Sequence, residues 1–136
     1  MFVKKIIDHN GYIGDVVVTD GVYEILCFSH SETIPEPNRK VTYIGAEEPD
    51  NILKVESCQY IIKEINYSYF LQGKVIKKGE IETLALSDGY YVYAISQIGI
   101  GGLIINLETP LPDNVKEGDF VSFYTYRLNC DFEHKD

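Results

Sequence analysis

The sequence predicts an all-β fold, either a small barrel or a β-sandwich of about nine to ten short, mostly antiparallel strands. Apolar and polar residues alternate along many segments, whereas helical periodicity is hard to find. The composition is also rich in β-forming aromatics, with 11 Tyr and 6 Phe among 136 residues. With 45% hydrophobic residues, a chain of this length builds one core. We therefore expect residues 1–136 to form a single domain, with a polar tail from about residue 130.

The clearest local signal is a hairpin near the start of the chain. Residues 2–7 form the first predicted strand. Residues 12–19 and 22–30 follow as two strands joined by Asp20-Gly21, a dipeptide that supplies the positive φ angles of a tight turn. Apolar side chains occur on both faces of residues 22–30, so much of this hairpin should be covered on both sides.

The rest of the chain alternates between strand-like runs and turn signals. Pro35 and Pro37 mark a loop, and an acidic turn at residues 46–50 separates two later strands. Ser87-Asp88-Gly89 predicts a second hairpin, and the glycines of residues 99–102 are typical of a bulge or a tight barrel corner. The further predicted strands are residues 41–45, 53–57, 58–66, 67–77, 81–86, 90–96, 103–107 and 119–129, and residues 51–57 could instead form one helical turn.

One short segment resembles a known fold class. Residues 111–123 (LPDNVKEGDFVSF) place a Gly-Asp turn directly before a strand of alternating apolar residues. This pattern is similar to the loop-to-strand junction of oligonucleotide/oligosaccharide-binding (OB) barrels. The resemblance implies an OB-like small closed barrel, and it assigns no functional residue in this chain.

The charge of the chain bears on the class of partner. It carries 21 Asp+Glu against 12 Lys+Arg, which gives a net charge of -9. Such a surface repels polyanions, so binding to duplex nucleic acid is disfavoured. It also favours encounters with positively charged surfaces. We therefore expect a protein partner, and a basic one.

Cysteine usage and hydropathy bear on the compartment. Cys27, Cys58 and Cys130 are an odd number of cysteines, whereas secreted disulfide frameworks use even sets. Two lysines interrupt the apolar run at the N-terminus, where a signal peptide would need an unbroken core. The longest apolar stretch, residues 98–105, is too short to span a membrane. We predict a cytoplasmic protein with no membrane partner.

Two pairs of cysteine and histidine are candidate zinc ligands. Cys27 with His30 and Cys130 with His134 supply the ligand types that a structural zinc site uses. No Gly or Pro knuckle follows either cysteine, and His134 lies near the C-terminus, where chains fray. Burial of the cysteines is the simpler interpretation, and we expect no metal or other cofactor.

Common catalytic motifs do not occur in the sequence. It contains no G-x-S-x-G, H-E-x-x-H, C-x-x-C or G-x-x-x-x-G-K pattern. A Cys27–His30 nucleophile and base would diverge on a strand, because residues three apart point to opposite faces. Acidic pairs such as Glu47 with Glu48, or Glu80 with Glu82, are typical of a solvated surface. A small enzyme that uses Cys27 or a carboxylate is therefore the third hypothesis, and the sequence leans against it.

Tyrosine is present in unusual excess and alternates along candidate strands. An exposed aromatic stripe would suit a protein contact, or stacking on bases and sugars. A buried one would be cross-strand packing. The same-face pairs are Tyr67 with Tyr69, Tyr91 with Tyr93, and Tyr124 with Tyr126. We predict that Tyr91, Tyr93, Tyr124 and Tyr126 form the binding surface.

The sequence thus favours a non-enzymatic protein-interaction module, such as an adaptor, an inhibitor or an immunity-type protein. Its predicted contact surface is acidic and rich in tyrosine. The alternative is an OB-like barrel that binds single-stranded nucleic acid or a glycan through its tyrosine stripes. An unpaired edge strand would also allow two copies to pair as a homodimer.

Overall fold

Thirteen β-strands make up the regular structure of the described part of the chain. The computed structural model describes residues 1–30, 34–80, 82–86 and 89–133, and of residues 82–86 and 89–93 it describes the backbone alone. No helix occurs among these residues, which confirms the all-β prediction. The strands are β1 (Phe2–His9), β2 (Ile13–Thr19), β3 (Glu24–His30), β4 (Val41–Glu47), β5 (Asp50–Val55), β6 (Tyr60–Lys63), β7 (Tyr69–Lys77), β8 (Glu82–Leu86), β9 (Gly89–Tyr93), β10 (Ser96–Ile100), β11 (Leu103–Leu107), β12 (Phe120–Thr125) and β13 (Arg127–Phe132).

Eleven of these strands form one mixed sheet, and β8 and β9 form a separate hairpin. The sheet runs in the order β1-β2-β3-β13-β4-β11-β10-β7-β12-β5, with β6 beside β7. The strand pairs are antiparallel except β3–β13 and β4–β11, so the chain is mostly antiparallel, as predicted. The end strands β1 and β5 do not pair with each other, so the sheet is not the closed barrel that the sequence suggested.

The thirteen strands exceed the predicted nine to ten, and they exceed the eleven strand-like segments of the sequence by two, for two local reasons. Residues 119–129, predicted as one strand, are split into β12 and β13 at Tyr126. The predicted interruption at residues 99–102 is a turn only at Gly101 and Gly102, whereas Gly99 lies inside β10. A Cβ atom at Gly99 would lie 2.6 Å from the Ile76 side chain, so glycine there permits close strand packing.

Strands β4 and β5 follow each other along the chain, as do β12 and β13, and together they form a long two-stranded antiparallel ribbon with a bend in the middle. On one side of the bend β4 pairs with β13, and on the other side β5 pairs with β12. Glu47 fixes the bend, because its carbonyl accepts hydrogen bonds from the Tyr126 N–H (3.1 Å) and the Thr125 hydroxyl (2.8 Å). The Glu47 carboxylate forms a 2.8 Å ion pair with Arg127. The ribbon pairs with β3 beyond one side of the bend and with β7 beyond the other.

One apolar core extends under both halves of the ribbon. Fully buried side chains of the β2–β3 hairpin, such as Val16 and Ile25, belong to the same cluster as Ile98 and Phe123. Side chains alternate between the two sides of a strand, so in a strand over the core, such as β3, every second residue is buried. The outward sides of the strands therefore carry the side chains that are free to contact other molecules.

Candidate functional site

Tyr124 and Tyr126 lie at the bend of the ribbon, and both are exposed. Tyr124 is 46% exposed and Tyr126 is 61% exposed, while Thr125 between them is buried. The alternation follows from β12, in which Phe123 faces the core and Tyr124 faces outward. The exposure that a binding surface needs is present at both residues, and the binding role itself stays a prediction.

Four strands carry Tyr124 within a row of outward side chains. The register sets Ile62 of β6 opposite Phe70 of β7, Phe70 opposite Tyr124 of β12, and Tyr124 opposite Asp50 of β5. The rings of Phe70 and Tyr124 are 5.0 Å apart and tilted by 56°, which is a favourable aromatic geometry. We call the outward side of β5, β6, β7 and β12 the tyrosine face.

One end of the tyrosine face is covered by the connection between β5 and β6. Gln72 and Ser122 lie one row along from Phe70 and Tyr124 and are buried. The Gln72 amide donates a 3.3 Å hydrogen bond to the carbonyl of Glu56, in residues 56–59. The covered end leaves the row at Tyr124 as the open part of this face.

The open end forms a groove of about 460 Å³. It is lined by Glu48, Asp50, Glu64, Ser68, Tyr124, Thr125 and Tyr126. Three of these residues are acidic and none is basic, so the residues that line the groove carry a negative formal charge. Glu48 adopts a φ of +50°, an uncommon conformation for a residue with a side chain. We call this depression the tyrosine groove.

The acidic residues of the groove were not assigned to the predicted site. The sequence shows residues 46–50 only as an acidic turn, and Glu64 lies far from them along the chain. Their meeting with Tyr124 depends on the strand order β6-β7-β12-β5, which no local pattern encodes.

Tyr67 and Tyr69, a predicted same-face pair, both direct their hydroxyls to the β2–β3 hairpin and differ in burial. Tyr67 precedes β7 and donates a 2.9 Å hydrogen bond to the Asp15 carboxylate, which raises the pKa of Tyr67. Tyr69 is buried, and its hydroxyl accepts a 2.7 Å hydrogen bond from the Leu26 N–H. A turn at residues 65–68 breaks the alternation, so the two rings have different environments.

Tyr91 and Tyr93, the other two predicted binding residues, lie on β9. The β8–β9 pairing sets Leu84 opposite Tyr91 and Glu82 opposite Tyr93. The side chains of both tyrosines lie outside the described part of the structure. Their assignment to the binding surface stays a prediction.

The outward side of the β2–β3 hairpin also carries aromatic and charged groups, and they are already in contact with the protein. We call this side, with Asp15, Val17, Leu26 and Phe28, the hairpin face. The Arg127 guanidinium lies 4.1 Å from the centre of the Phe28 ring, a cation–π contact. Together with the Tyr67–Asp15 and Tyr69–Leu26 hydrogen bonds, this contact closes the hairpin face.

Of the candidate zinc ligands, the described residues are the two cysteines and His30, and only the cysteines meet. Cys27 and Cys130 contact each other in the core, and burial together with that contact raises the pKa of the Cys27 thiol well above its ordinary value. His30 is exposed, and His134 lies outside the described residues. Among the described residues no three or more His, Cys, Asp and Glu side chains form a metal-binding group. A high thiol pKa also opposes use of Cys27 as a nucleophile, because the thiolate is the reactive form.

A serine and a histidine that the sequence did not pair lie in contact. The ring nitrogen Nε2 of His9 is 3.2 Å from the Ser29 hydroxyl, and Nδ1 accepts a 3.0 Å hydrogen bond from the Gly11 N–H. In the neutral ring the proton is therefore on Nε2, which acts as the donor to Ser29. Ser29 is fully buried. This arrangement lacks the free base and the accessible nucleophile that acyl transfer needs.

The glycine turn between β10 and β11 is a conceivable anion site, but its amide groups already have acceptors in the protein. The Gly101 N–H donates to the Gln59 side chain at 2.5 Å, and the Gly102 N–H donates to the Asp20 carboxylate at 2.6 Å. An anion would have to displace a carboxylate that is part of the fold. The hydrogen bond from Gly102 to Asp20 thus holds the turn of the β10–β11 hairpin against the turn of the β2–β3 hairpin.

A second depression, of about 600 Å³, lies between residues 78–80 and 110–117. Lys78, one of two lysines that line it, donates hydrogen bonds to the carbonyls of Val115 (2.7 Å) and Pro112 (3.3 Å). These bonds hold the loop before β12 in place. They leave the tyrosine groove as the better candidate for recognition.

Comparison with protein families, with curated proteins and with solved structures finds no match for this chain. The described residues include no helix that is long and apolar enough to cross a membrane.

Proposed function

We propose that this protein is a non-enzymatic interaction module that binds a basic segment of a partner protein in the tyrosine groove. The observation that carries the proposal is the pairing of two exposed tyrosines, Tyr124 and Tyr126, with three carboxylates in one depression. The net charge of -9 extends the same negative potential over the molecule as a whole.

The chemistry of the groove suits lysine and arginine side chains. A cation above a tyrosine ring is attracted by the negative face of the ring, and neighbouring carboxylates pair with its charge. Phe70 packs against Tyr124 and limits the freedom of that ring before binding. The Tyr124 side chain therefore loses less conformational entropy when a partner binds.

Titration with short peptides tests this function. The probe is the fluorescently labelled peptide acetyl-Thr-Val-Thr-Lys-Thr-Lys-Thr-amide, and its glutamate counterpart is the control. We expect the lysine peptide to bind and the glutamate peptide not to bind. Binding should weaken strongly between low and high salt, because exposed charges are screened.

Matched tyrosine variants locate the site. Tyr124→Ala should weaken binding of the lysine peptide about fivefold, through loss of the ring that faces the cation. Tyr12→Ala removes a tyrosine that is 67% exposed and lies outside the groove, so it should leave affinity unchanged. Equal effects of the two variants, or no binding of the lysine peptide, would overturn the proposal.

We also propose that β1, β2, β3, β13 and β4 form a partly open, OB-like group. The support is a short antiparallel contact between the start of β1 and residues 39–41, at the start of β4. The Val3 N–H donates to the Arg39 carbonyl at 2.8 Å, and the Val41 N–H donates to the Met1 carbonyl at 3.0 Å. OB barrels are likewise five-stranded and partly open.

Binding of single-stranded nucleic acid or a glycan by this OB-like group is the weaker alternative. OB barrels use the face of their second and third strands, which here is the closed hairpin face. Phe28, the aromatic ring available for stacking there, is already in contact with Arg127. Oligothymidylate and chitotriose are therefore the competitors to include in the peptide titration, and we expect neither to displace the lysine peptide.

We place the protein in a reducing compartment such as the cytoplasm, also as a proposal. Cys27 and Cys130 contact each other in the core as free thiols. Alkylation of denatured protein from freshly lysed cells, followed by mass spectrometry, should find both thiols reduced. A disulfide in the intracellular protein would contradict this placement.

A further inference from the structure

β5 is an edge strand whose outer side has no strand beside it among the described residues. It pairs with β12, and no other described strand pairs with it. All six residues of β5 are exposed or partly exposed. An unpaired strand edge presents free N–H and C=O groups to which another extended chain can bind.

The hydrogen-bond phase of β12 identifies the free groups of β5. The Val75 N–H donates to the carbonyl of Asp119, next to β12. In an antiparallel pair every second residue directs its backbone groups to the same neighbour, so Val121, Phe123 and Thr125 also bond to β7. Even-numbered residues of β12 therefore direct their backbone groups toward β5, where Ser122 lies opposite Leu53. The backbone groups of Leu53 bond to β12, and those of Ile52 and Lys54 point to the free edge.

The same edge lies directly beside the tyrosine groove. Asp50 is a residue of β5 and also lines the groove. On β12, Ser122 lies opposite Leu53 and Tyr124 lies opposite Asp50. A bulge in β5 therefore makes Asp50 and Leu53, which are three residues apart, match two residues that are only two apart. A strand added on the outer side would therefore continue the row of Phe70, Tyr124 and Asp50 by one more side chain.

We propose that the basic partner segment binds as an additional β-strand on the free edge of β5. This inference rests on the function proposed for the tyrosine groove and specifies how the segment lies in it. The segment carries an apolar residue beside Leu53 and a lysine or arginine two residues away, beside Asp50. Backbone hydrogen bonds to Ile52 and Lys54 supply affinity, and the two side chains supply specificity.

Charge favours such a partner over a second copy of this chain. Each copy carries a net charge of -9, so two copies repel each other on approach. In a symmetric antiparallel pairing of two β5 strands about Leu53, the bulge would set Asp50 of each copy beside Val55 of the other, where it gains no opposite charge. A basic segment instead places a positive charge beside Asp50.

Amide hydrogen exchange of the full-length protein, followed by NMR with and without the lysine peptide, tests the binding mode. We expect the Ile52 and Lys54 amides to exchange fast in the free protein. At saturation with peptide they should slow by about tenfold or more, since pairing hides them from water. A lysine peptide that is N-methylated at alternate residues, on the edge that faces β5, should bind about tenfold more weakly. Methylation on the opposite edge of the peptide is the control and should leave affinity unchanged.

The outcomes separate this inference from the proposed function. Binding that depends on Tyr124 but leaves the Ile52 and Lys54 amides unprotected would overturn strand addition and leave the groove as the site. Protection of both amides in concentrated protein without peptide would assign the edge to a homodimer and also overturn the inference. Absence of peptide binding would overturn both proposals.

Discussion

The hairpin face and the tyrosine face are both outward sides of antiparallel strands that carry aromatic residues, and only one of them is closed. On the hairpin face, Tyr67 donates a hydrogen bond to Asp15, and Tyr69 accepts one from the Leu26 N–H. Arg127 makes a cation–π contact with Phe28. On the tyrosine face, Tyr124 contacts Phe70 and is otherwise largely open. The comparison shows that the role of a tyrosine on an outward side depends on its tertiary contacts. A tyrosine whose hydroxyl bonds to the β2–β3 hairpin stabilises the fold, and Tyr124, on the open face, is exposed to solvent.

The largest expected effect is at Tyr69, the buried tyrosine that closes the hairpin face. Tyr69→Ala should lower the free energy of unfolding by about 3–5 kcal/mol, because it leaves a cavity and an unpaired Leu26 N–H. Tyr69→Phe keeps the ring and should lower the free energy by about 1–2 kcal/mol. Urea unfolding followed by circular dichroism measures both. A Tyr69→Phe variant as stable as the wild type would show that the hydroxyl is not needed to close this face.

The sequence predicted what repeats locally and missed what the topology decides. The alternation in residues 119–129 predicted that Phe123 and Tyr124 face opposite ways, which the structure confirms. The predicted strand at residues 67–77 begins two residues too early, because a turn places Tyr67 before β7. The bend at Tyr126 was also missed, since it depends on hydrogen bonds to Glu47, 79 positions earlier in the numbering.

The candidate site was predictable only in part for the same reason. An excess of tyrosine is visible in composition, and the exposure of Tyr124 and Tyr126 is consistent with the predicted surface. Glu64 and Asp50 reach the same groove because β6 and β5 lie on opposite sides of the β7–β12 pair. Strand order of this kind depends on long-range pairing, for which residue patterns carry no direct signal.

A second, smaller effect is expected at Asp20, which holds the far end of the β2–β3 hairpin. Burial raises the pKa of Asp20, but hydrogen bonds from the N–H groups of Tyr23, Val22 and Gly102 outweigh it and lower the pKa below 3.8. A carboxyl with a lowered folded-state pKa stabilises the fold above its unfolded pKa, and this stabilisation is lost as pH falls through the folded pKa.

Asp20→Asn removes that charge and one acceptor. At pH 7 the variant should be less stable than the wild type by about 1 kcal/mol. The difference should narrow as pH falls below about 4, because the wild-type Asp20 carboxyl is protonated first in the unfolded state and then, at lower pH, in the folded state. Urea unfolding at pH 7, 4 and 3 measures the difference, with Asp113→Asn, in an exposed loop, as the control. A difference that is constant across this pH range would contradict the role assigned to the Asp20 charge.

A change of opposite sign is expected at Glu48, which lines the open groove. Its φ of +50° is unfavourable for a residue with a Cβ, and the following Pro49 restricts it further. Glu48→Gly should therefore raise the free energy of unfolding by about 0.5–1 kcal/mol, while loss of the carboxylate weakens binding of the lysine peptide. Glu48→Gln separates the two effects, because it keeps the strain and removes the charge. A Glu48→Gly variant that loses stability would show that the carboxylate stabilises the bend.

The smallest effect on stability is expected at Tyr126, and it is the sharpest test of the comparison between the two faces. The residue is 61% exposed, and the contacts that hold it, the N–H to Glu47 and the carbonyl to Ser68, come from its backbone. Tyr126→Ala keeps those contacts and should change the free energy of unfolding by less than about 0.5 kcal/mol. Peptide binding should nevertheless weaken, because the ring is part of the wall of the groove. If Tyr126→Ala instead destabilised the protein as strongly as Tyr69→Phe, the ring would belong to the fold, and the tyrosine face would be as closed as the hairpin face. A stable variant that binds the lysine peptide with wild-type affinity would remove Tyr126 from the site and leave recognition to Tyr124.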